Sequence, residues 1–77
     1  MNFYHIKFKK KEHTKDRYII SEAVVISKNK ETAHTDLVKY EMLRGHQVII
    51  AKIIPINPSV AQVIELELSL SSIKRRS

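Results

Sequence analysis

Residues 27–45 read SKNKETAHTDLVKYEMLRG, and this stretch decides the fold because it carries the start and stop signals of one helix. Ser27 or Asn29 can cap the helix, since their side-chain oxygens accept hydrogen bonds from backbone N–H groups of its first turn. Gly45 is the only glycine of the chain, and it stands where a helix ends in the left-handed conformation that glycine adopts at low cost. These signals predict a helix over about 30–44.

The segments on either side of this helix predict strands. Residues 17–27 and 46–56 are rich in β-branched side chains on both faces, which is typical of strands inside a sheet. Residues 2–9 alternate instead and predict a half-exposed first strand. Its apolar face carries Tyr4, Ile6 and Phe8. Residues 10–16 contain no apolar side chain and predict a loop.

The last segment, residues 60–73, is compatible with two structures. The turn signal at 57–59 can cap a helix, but such a helix places Glu67 and Ser71 inside its apolar arc. A strand alternates more cleanly, with leucines on one face and Glu65 and Glu67 on the other. We therefore predict a strand, with a helix as the alternative.

The predicted fold is α+β, with the element order ββαββ and one helix packed on a four-stranded, mainly antiparallel sheet. If the second and third strands pair directly, the strand order is 1-2-3-4 and the helix makes a right-handed parallel crossover. The competing order 2-1-3-4 is fully antiparallel, but it places the more polar first strand inside the sheet. We predict the first order. The helical stripe expected to face the sheet comprises Ala33, Leu37, Tyr40 and Leu43.

The composition indicates one small folded domain. The 77 residues include no cysteine, which removes disulfides and thiolate metal ligands, and 43% of them are hydrophobic. No apolar run reaches the roughly 20 residues of a membrane-spanning helix, and the N-terminus lacks the apolar block of a signal peptide. We expect a single domain over 1–73 with a frayed basic tail at 74–77, in a cytoplasmic protein that needs no cofactor.

Positive charge is concentrated at two places along the chain. Nine of the 14 lysines and arginines lie within 7–17 or 74–77, which leaves the rest of the chain close to neutral despite a net charge of +6. Localised charge of this kind indicates where an anionic partner binds but does not identify it. The residues predicted to bind nucleic acid or another anionic partner are Lys7, Lys9, Lys10, Lys11, Lys15, Arg17, Lys74, Arg75 and Arg76.

Two apolar surfaces are also candidates for contact with a partner. Val38 and Met42 lie on a different side of the helix from the predicted sheet-facing stripe, and they are the predicted partner surface. In addition, one helix covers only one face of the sheet, while the second and third strands are apolar on both faces. Pairing of two copies through the uncovered face predicts a homodimer.

The residues offer little that is typical of an enzyme. The histidines at 5, 13, 34 and 46 show no metal-binding spacing, so no metal site is predicted. Glu65 and Glu67 share a face of the predicted last strand, where a solvated surface is the usual role. His13, with Lys15 and Asp16 nearby, is the candidate for general acid–base chemistry in a small ribonuclease.

The sequence therefore favours a small non-enzymatic interaction module, a regulatory or phage-type accessory protein that binds another macromolecule through a basic loop and an apolar surface. Its size and order of elements resemble those of short proteins from bacteria and their phages, without a motif that assigns a family. The expected partner is an acidic protein or a nucleic acid, and no membrane is expected. The alternatives are a nucleic-acid-binding protein with RNA or DNA backbone contacts, and a small ribonuclease or toxin-like enzyme.

Overall fold

The computed structural model describes the backbone of residues 1–76 and the side chains of residues 1–68. The elements, in chain order, are β1 (Asn2–Glu12), β2 (Ile19–Ser27), α1 (Lys30–Leu43), β3 (His46–Ile56) and α2 (Pro58–Arg76). The three strands form one antiparallel sheet in the order β2-β1-β3, so the α+β class is confirmed. Within the described part of the chain there are three strands and two helices, where four strands and one helix were predicted.

Helix α1 begins and ends where the sequence signals predict. Of the two candidate caps, Asn29 is the one that acts, because its Oδ1 accepts a hydrogen bond of 2.8 Å from the backbone N–H of Thr32. Gly45 has a φ of 83°, and its N–H donates to the carbonyl of Met42 at 3.0 Å. Glycine is thus needed here to end the helix in the left-handed region.

Gly45→Ala is expected to lower the free energy of unfolding by about 1–2 kcal/mol, which is the cost of the left-handed conformation for a residue with a Cβ. No heavy atom lies within 4 Å of a Cβ added at this position, so backbone strain is the whole effect. Urea denaturation measures the loss. Gly45→Asn is the matched control and should lose less, because asparagine tolerates this conformation. Equal losses in the two variants would show that strain does not explain the glycine.

The central position of β1 corrects the predicted strand order. Direct pairing of β2 with β3 is wrong, and β1 lies between them in the antiparallel arrangement of the competing order. Polar alternation on β1 does not prevent a central position, because pairing uses both edges of a strand while alternation concerns its two faces. Strand β1 also continues to Glu12, although residues 10–12 were predicted to belong to a loop. Lys10 pairs with both β2 and β3, and the two residues after it pair with β3.

The last element is a helix, so the predicted strand over 60–73 is wrong. Asn57 acts as the cap, since its Oδ1 accepts a hydrogen bond of 2.9 Å from the backbone N–H of Val60. Pro58 occupies the first helical position, where its missing N–H costs nothing. The misleading alternation arises because α2 carries apolar residues on more than one side. Those turned towards the body of the protein are Ala61, Ile64 and Leu68, while Val63 and Leu66 are exposed.

The core lies between the sheet and α1. Its buried members are Tyr4, Ile6, Phe8, Ala33 and Leu37, with partly buried residues of β2 and β3 packed around them. The predicted sheet-facing stripe of α1 is right for Ala33 and Leu37 and wrong for Tyr40 and Leu43, which are exposed. Glu41 occupies the buried position one turn after Leu37. The helix therefore presents a carboxylate to the interior.

The opposite face of the sheet mixes lysines with exposed apolar side chains. Lys9 lies between Ile20 on β2 and Ile49 on β3 in the strand register, and both isoleucines are exposed. The homodimer predicted through this face stays a prediction. In the part of the chain that the structure describes, no helix is long and apolar enough to cross a membrane.

Candidate anion-binding site

A small cavity of about 80 Å³ lies at the end of the sheet where β1 ends and where β2 and β3 begin. The register explains the grouping: Lys10 lies opposite Ile19 of β2, and Glu12 lies opposite His46 of β3. The residues lining the cavity are Lys10, Lys11, Glu12, Lys15, Arg17, Ile19 and His46. The meeting of three strand ends thus brings His46 next to the basic residues of 10–17.

The buried carboxylate of Glu41 contacts two of the residues that line this cavity, Lys10 and His46. Its side chain is only 5% exposed, and its Oε2 lies 2.8 Å from Nδ1 of His46 and 3.6 Å from Nζ of Lys10. Buried carboxylates are rare unless they are paired with cations or hydrogen-bond donors. The pairing therefore both stabilises Glu41 and holds His46 and Lys10 at the cavity wall.

The contact with Glu41 also determines how His46 presents itself. When the Glu41 side chain is a carboxylate, its oxygens only accept hydrogen bonds, and Nδ1 then carries the hydrogen in this contact. Nε2 is then the ring nitrogen that Glu41 does not engage. It donates a hydrogen bond to a ligand when the ring is an imidazolium and accepts one when the ring is neutral.

The loop after β1 is held in place by its own contacts. Lys11 donates from Nζ to the carbonyl of Lys15 at 3.0 Å and lies 5.9 Å from the centre of the Tyr18 ring. The backbone N–H of His13 donates to the carbonyl of Gly45 at 3.4 Å, which joins the loop to the turn between α1 and β3. These contacts tie the loop to the end of β1 and to the turn between α1 and β3.

The charge around the cavity is positive. Four cationic side chains line it against one carboxylate, Glu12, which lies 3.3 Å from Nζ of Lys15. The buried Glu41, which contacts two of the lining residues, lies 3.6 Å from Nζ of Lys10. Among the described residues, Arg17 forms no ion pair within 4.0 Å. Its planar group of donors matches the geometry of phosphate or carboxylate oxygens.

The predicted binding residues divide into three groups. Lys10, Lys11, Lys15 and Arg17 meet at the cavity. Lys7 and Lys9 lie on the sheet face opposite α1, where Lys7 pairs with Lys52 of β3 in the register. The third group, Lys74, Arg75 and Arg76, falls in the last turn of α2, outside the side chains that the structure describes.

Val38 and Met42, the predicted partner surface, differ in exposure: Val38 is half-buried and Met42 is exposed. Met42 borders a shallow depression together with Lys39 and Leu43. Their role as a docking surface stays a prediction. A larger cavity of about 470 Å³ lies between β2, α1 and α2, and it is lined mainly by apolar residues with Asp36 and Glu65 among them.

Sequence reasoning missed the pairing of Glu41 and His46. It selected His13, which is an exposed loop residue, whereas His46 is the histidine that lines the cavity. A usable signal was present, because Glu41 follows Ala33 and Leu37 at helical spacing and so occupies a core position. A buried carboxylate needs a cation or a hydrogen-bond donor as its partner, and the residues just after the end of α1 are the nearest in sequence that can provide one.

The described residues contain no group of three or more metal-ligating side chains that could hold a metal ion. Comparisons with protein-family models, with curated proteins and with solved structures found no match to this chain. The site is therefore interpreted from its own geometry.

Proposed function

We propose that the protein is a small non-enzymatic binding module that holds the phosphate backbone of a nucleic acid at the basic end of its sheet. The observation that supports this most directly is the convergence of four cationic side chains and His46 on one cavity of about 80 Å³. Cavities that enclose whole small molecules measure about 300–1,000 Å³, so this one suits a single anionic group. Contacts to phosphate groups supply most of the affinity in non-specific nucleic-acid binding.

The face of the sheet opposite α1 extends the basic surface beyond the cavity. Lys7, Lys9 and Lys11 alternate along β1, so neighbouring lysines of this row lie about 7 Å apart. The exposed Ile20 and Ile49 flank the row and add apolar contact area. A strand that enters the cavity can therefore continue along β1 over cationic and apolar side chains.

The aromatic residue beside the site favours backbone contacts over base stacking. Tyr18 is half-buried, and the Nζ atoms of Lys9 and Lys11 lie 6.0 and 5.9 Å from its ring centre. The ring face is thus occupied by lysines, which themselves contact phosphates. Phosphate contacts carry no sequence information, so we expect little preference among sequences of equal length.

Binding of a short mixed-sequence single strand is expected to weaken steeply with salt. Four phosphate contacts give a slope of log affinity against log salt concentration of about −3, which amounts to roughly 50-fold between 50 and 200 mM. Fluorescence anisotropy of a labelled oligonucleotide measures this directly. A protein that does not bind the strand even at 50 mM salt contradicts the proposal.

Two controls separate this proposal from the alternatives. Polyglutamate of matched charge should compete poorly, because it lacks tetrahedral phosphate groups; equal competition would identify an acidic protein surface as the partner. An RNA oligonucleotide recovered after incubation should be intact on a denaturing gel. Cleavage that depends on the protein would instead support the ribonuclease alternative.

A further inference from the structure

Terminal phosphates differ from the phosphates inside a nucleic-acid strand in charge and in oxygen atoms. A terminal monoester carries about −1.5 to −2 charges at pH 7 and three oxygens that accept hydrogen bonds. An internal diester carries a single charge and two such oxygens. It is also bonded to sugar on both sides, so the strand has to leave the binding cavity in two directions. The two kinds of phosphate therefore fit different cavities.

The cavity at the end of the sheet has the size and shape for the monoester. Its volume of about 80 Å³ is several-fold smaller than the roughly 300 Å³ at which cavities begin to enclose whole small molecules, so it suits a single group such as a phosphate and not a nucleoside. Donors approach it from β1 (Lys10, Lys11), from the following loop (Lys15, Arg17) and from β3 (His46). Donors on several sides suit a group with three acceptor oxygens.

We propose that this cavity binds the terminal phosphate monoester of a nucleic-acid strand, so that the module recognises strand ends; the inference rests on the proposed function. The dianion matches the excess of cations over carboxylates around the cavity better than a diester does. Glu12, the carboxylate on the cavity wall, is offset by Lys15 at 3.3 Å.

His46 distinguishes the two kinds of phosphate when its ring is neutral. Nδ1 of His46 is engaged by Glu41, which leaves Nε2 for the phosphate. When the ring is an imidazolium, Nε2 donates a hydrogen bond to the dianionic monoester. When the ring is neutral, Nε2 accepts a hydrogen bond from the P–O–H group of the monoanionic monoester. A diester has no P–O–H group, so the neutral ring cannot form a hydrogen bond of this kind with it. Both protonation states of His46 are therefore compatible with a terminal phosphate.

The test compares three strands of identical sequence that carry a 5′-phosphate, a 3′-phosphate or hydroxyl groups at both ends. We expect the intact protein to bind one of the phosphorylated strands about tenfold more tightly than the hydroxyl-ended strand, by fluorescence anisotropy at one fixed salt concentration. A nucleoside monophosphate serves as competitor, because it carries the same group without the strand. It should displace the phosphorylated strand only at much higher concentration.

Two variants locate the preference. His46→Asn keeps an amide N–H for Glu41 and removes the Nε2 position, while Arg17→Gln removes the charge of an exposed residue. Both should reduce the preference for the phosphorylated end to about onefold. Because both residues also line the proposed strand-binding site, the readout is the ratio of the two affinities within each variant and not the affinity for the hydroxyl-ended strand. Circular dichroism checks that each is folded, and Arg17→Gln decides alone if His46→Asn unfolds.

The possible results have different meanings. Equal affinity of the intact protein for all three strands overturns end recognition but leaves the proposed function in place. If both folded variants still prefer the phosphorylated end, the assignment to this cavity is wrong. If the mononucleotide competes as well as the phosphorylated strand, the strand does not contribute to binding. Failure to bind any strand removes the proposed function itself.

Discussion

Ile6→Ala is expected to lower the free energy of unfolding by about 2–5 kcal/mol, which is the cost of such a truncation in a packed core. The side chain of Ile6 is fully buried, on the central strand and opposite Ala23 of β2 and Ile53 of β3. A domain of this length has a total stability of roughly 4–12 kcal/mol. The single truncation therefore removes a large part of it, and at the upper end leaves the protein mostly unfolded.

Urea denaturation followed by circular dichroism measures the loss, and Ile20→Ala provides the matched control. Ile20 is the same residue type on the neighbouring strand but is 81% exposed, so its truncation should change the stability by no more than about 0.5 kcal/mol. Similar losses in the two variants would mean that the buried face of the sheet has been assigned to the wrong side.

Lys11→Glu/Arg17→Glu is expected to weaken binding of the single strand by at least about 100-fold at low salt. The double variant removes two charge-assisted phosphate contacts, each contributing about 1.5–3 kcal/mol, and adds repulsion at the same place. Lys10 is avoided because its Nζ lies 3.6 Å from the buried Glu41, so a glutamate there would place two carboxylates together and destabilise the fold. Anisotropy titration against the same oligonucleotide gives the ratio.

The matched control for this variant is Lys28→Glu/Lys30→Glu. It changes the net charge by the same amount, on exposed residues at the opposite end of β2, roughly 25 Å from the cavity. At that separation salt screens the interaction, and affinity should stay within about threefold of the unmodified protein. If both double variants lose affinity equally, total charge and not the cavity governs binding.

The parts of the fold that were predictable are those with local signals. Asn29 and Gly45 determine the ends of α1 through contacts within a few residues, and 46–56 is apolar enough to identify β3 by itself. The position of β1 in the sheet depends on which segments pair across the chain. Alternation shows which face of β1 is apolar, but it carries no information on how many neighbours the strand has.

In the last segment, the capping signal was correct and the strand-like alternation was misleading. Residues 60–73 alternate well enough to suggest a strand, yet Asn57 and Pro58 favour a helix start, and the helix forms even though Val63 and Leu66 remain exposed on it. Capping gave the better indication here. The distribution of apolar residues around a helical wheel did not identify the helix, because the apolar side of a helix need not be buried within the same chain.

Only the positive charge of the candidate site could be predicted from the sequence. The lysines of β1 and its loop stand out in the sequence, but the group that organises them does not. Glu41 lies on a helix, Lys10 on a strand far away in sequence, and His46 beyond the helix stop, and only the folded arrangement brings the three together. Pairing of a buried charge with its partners is a tertiary property.

The order β2-β1-β3 has a consequence for how the chain folds. β2 follows β1 after a short loop and pairs with one edge of it. The other edge of β1 pairs with β3, which comes only after β2 and α1 in the sequence. Distant pairings of this kind close late, because loop-closure entropy has to be overcome first. During that interval the hairpin leaves one edge of β1 unpaired and its apolar face, with Tyr4, Ile6 and Phe8, uncovered, and an open strand edge is the usual template for aggregation. The lysines at 7, 9 and 11 charge that strand at alternate positions, so the residues proposed to bind phosphate also protect the nascent chain from pairing with other molecules.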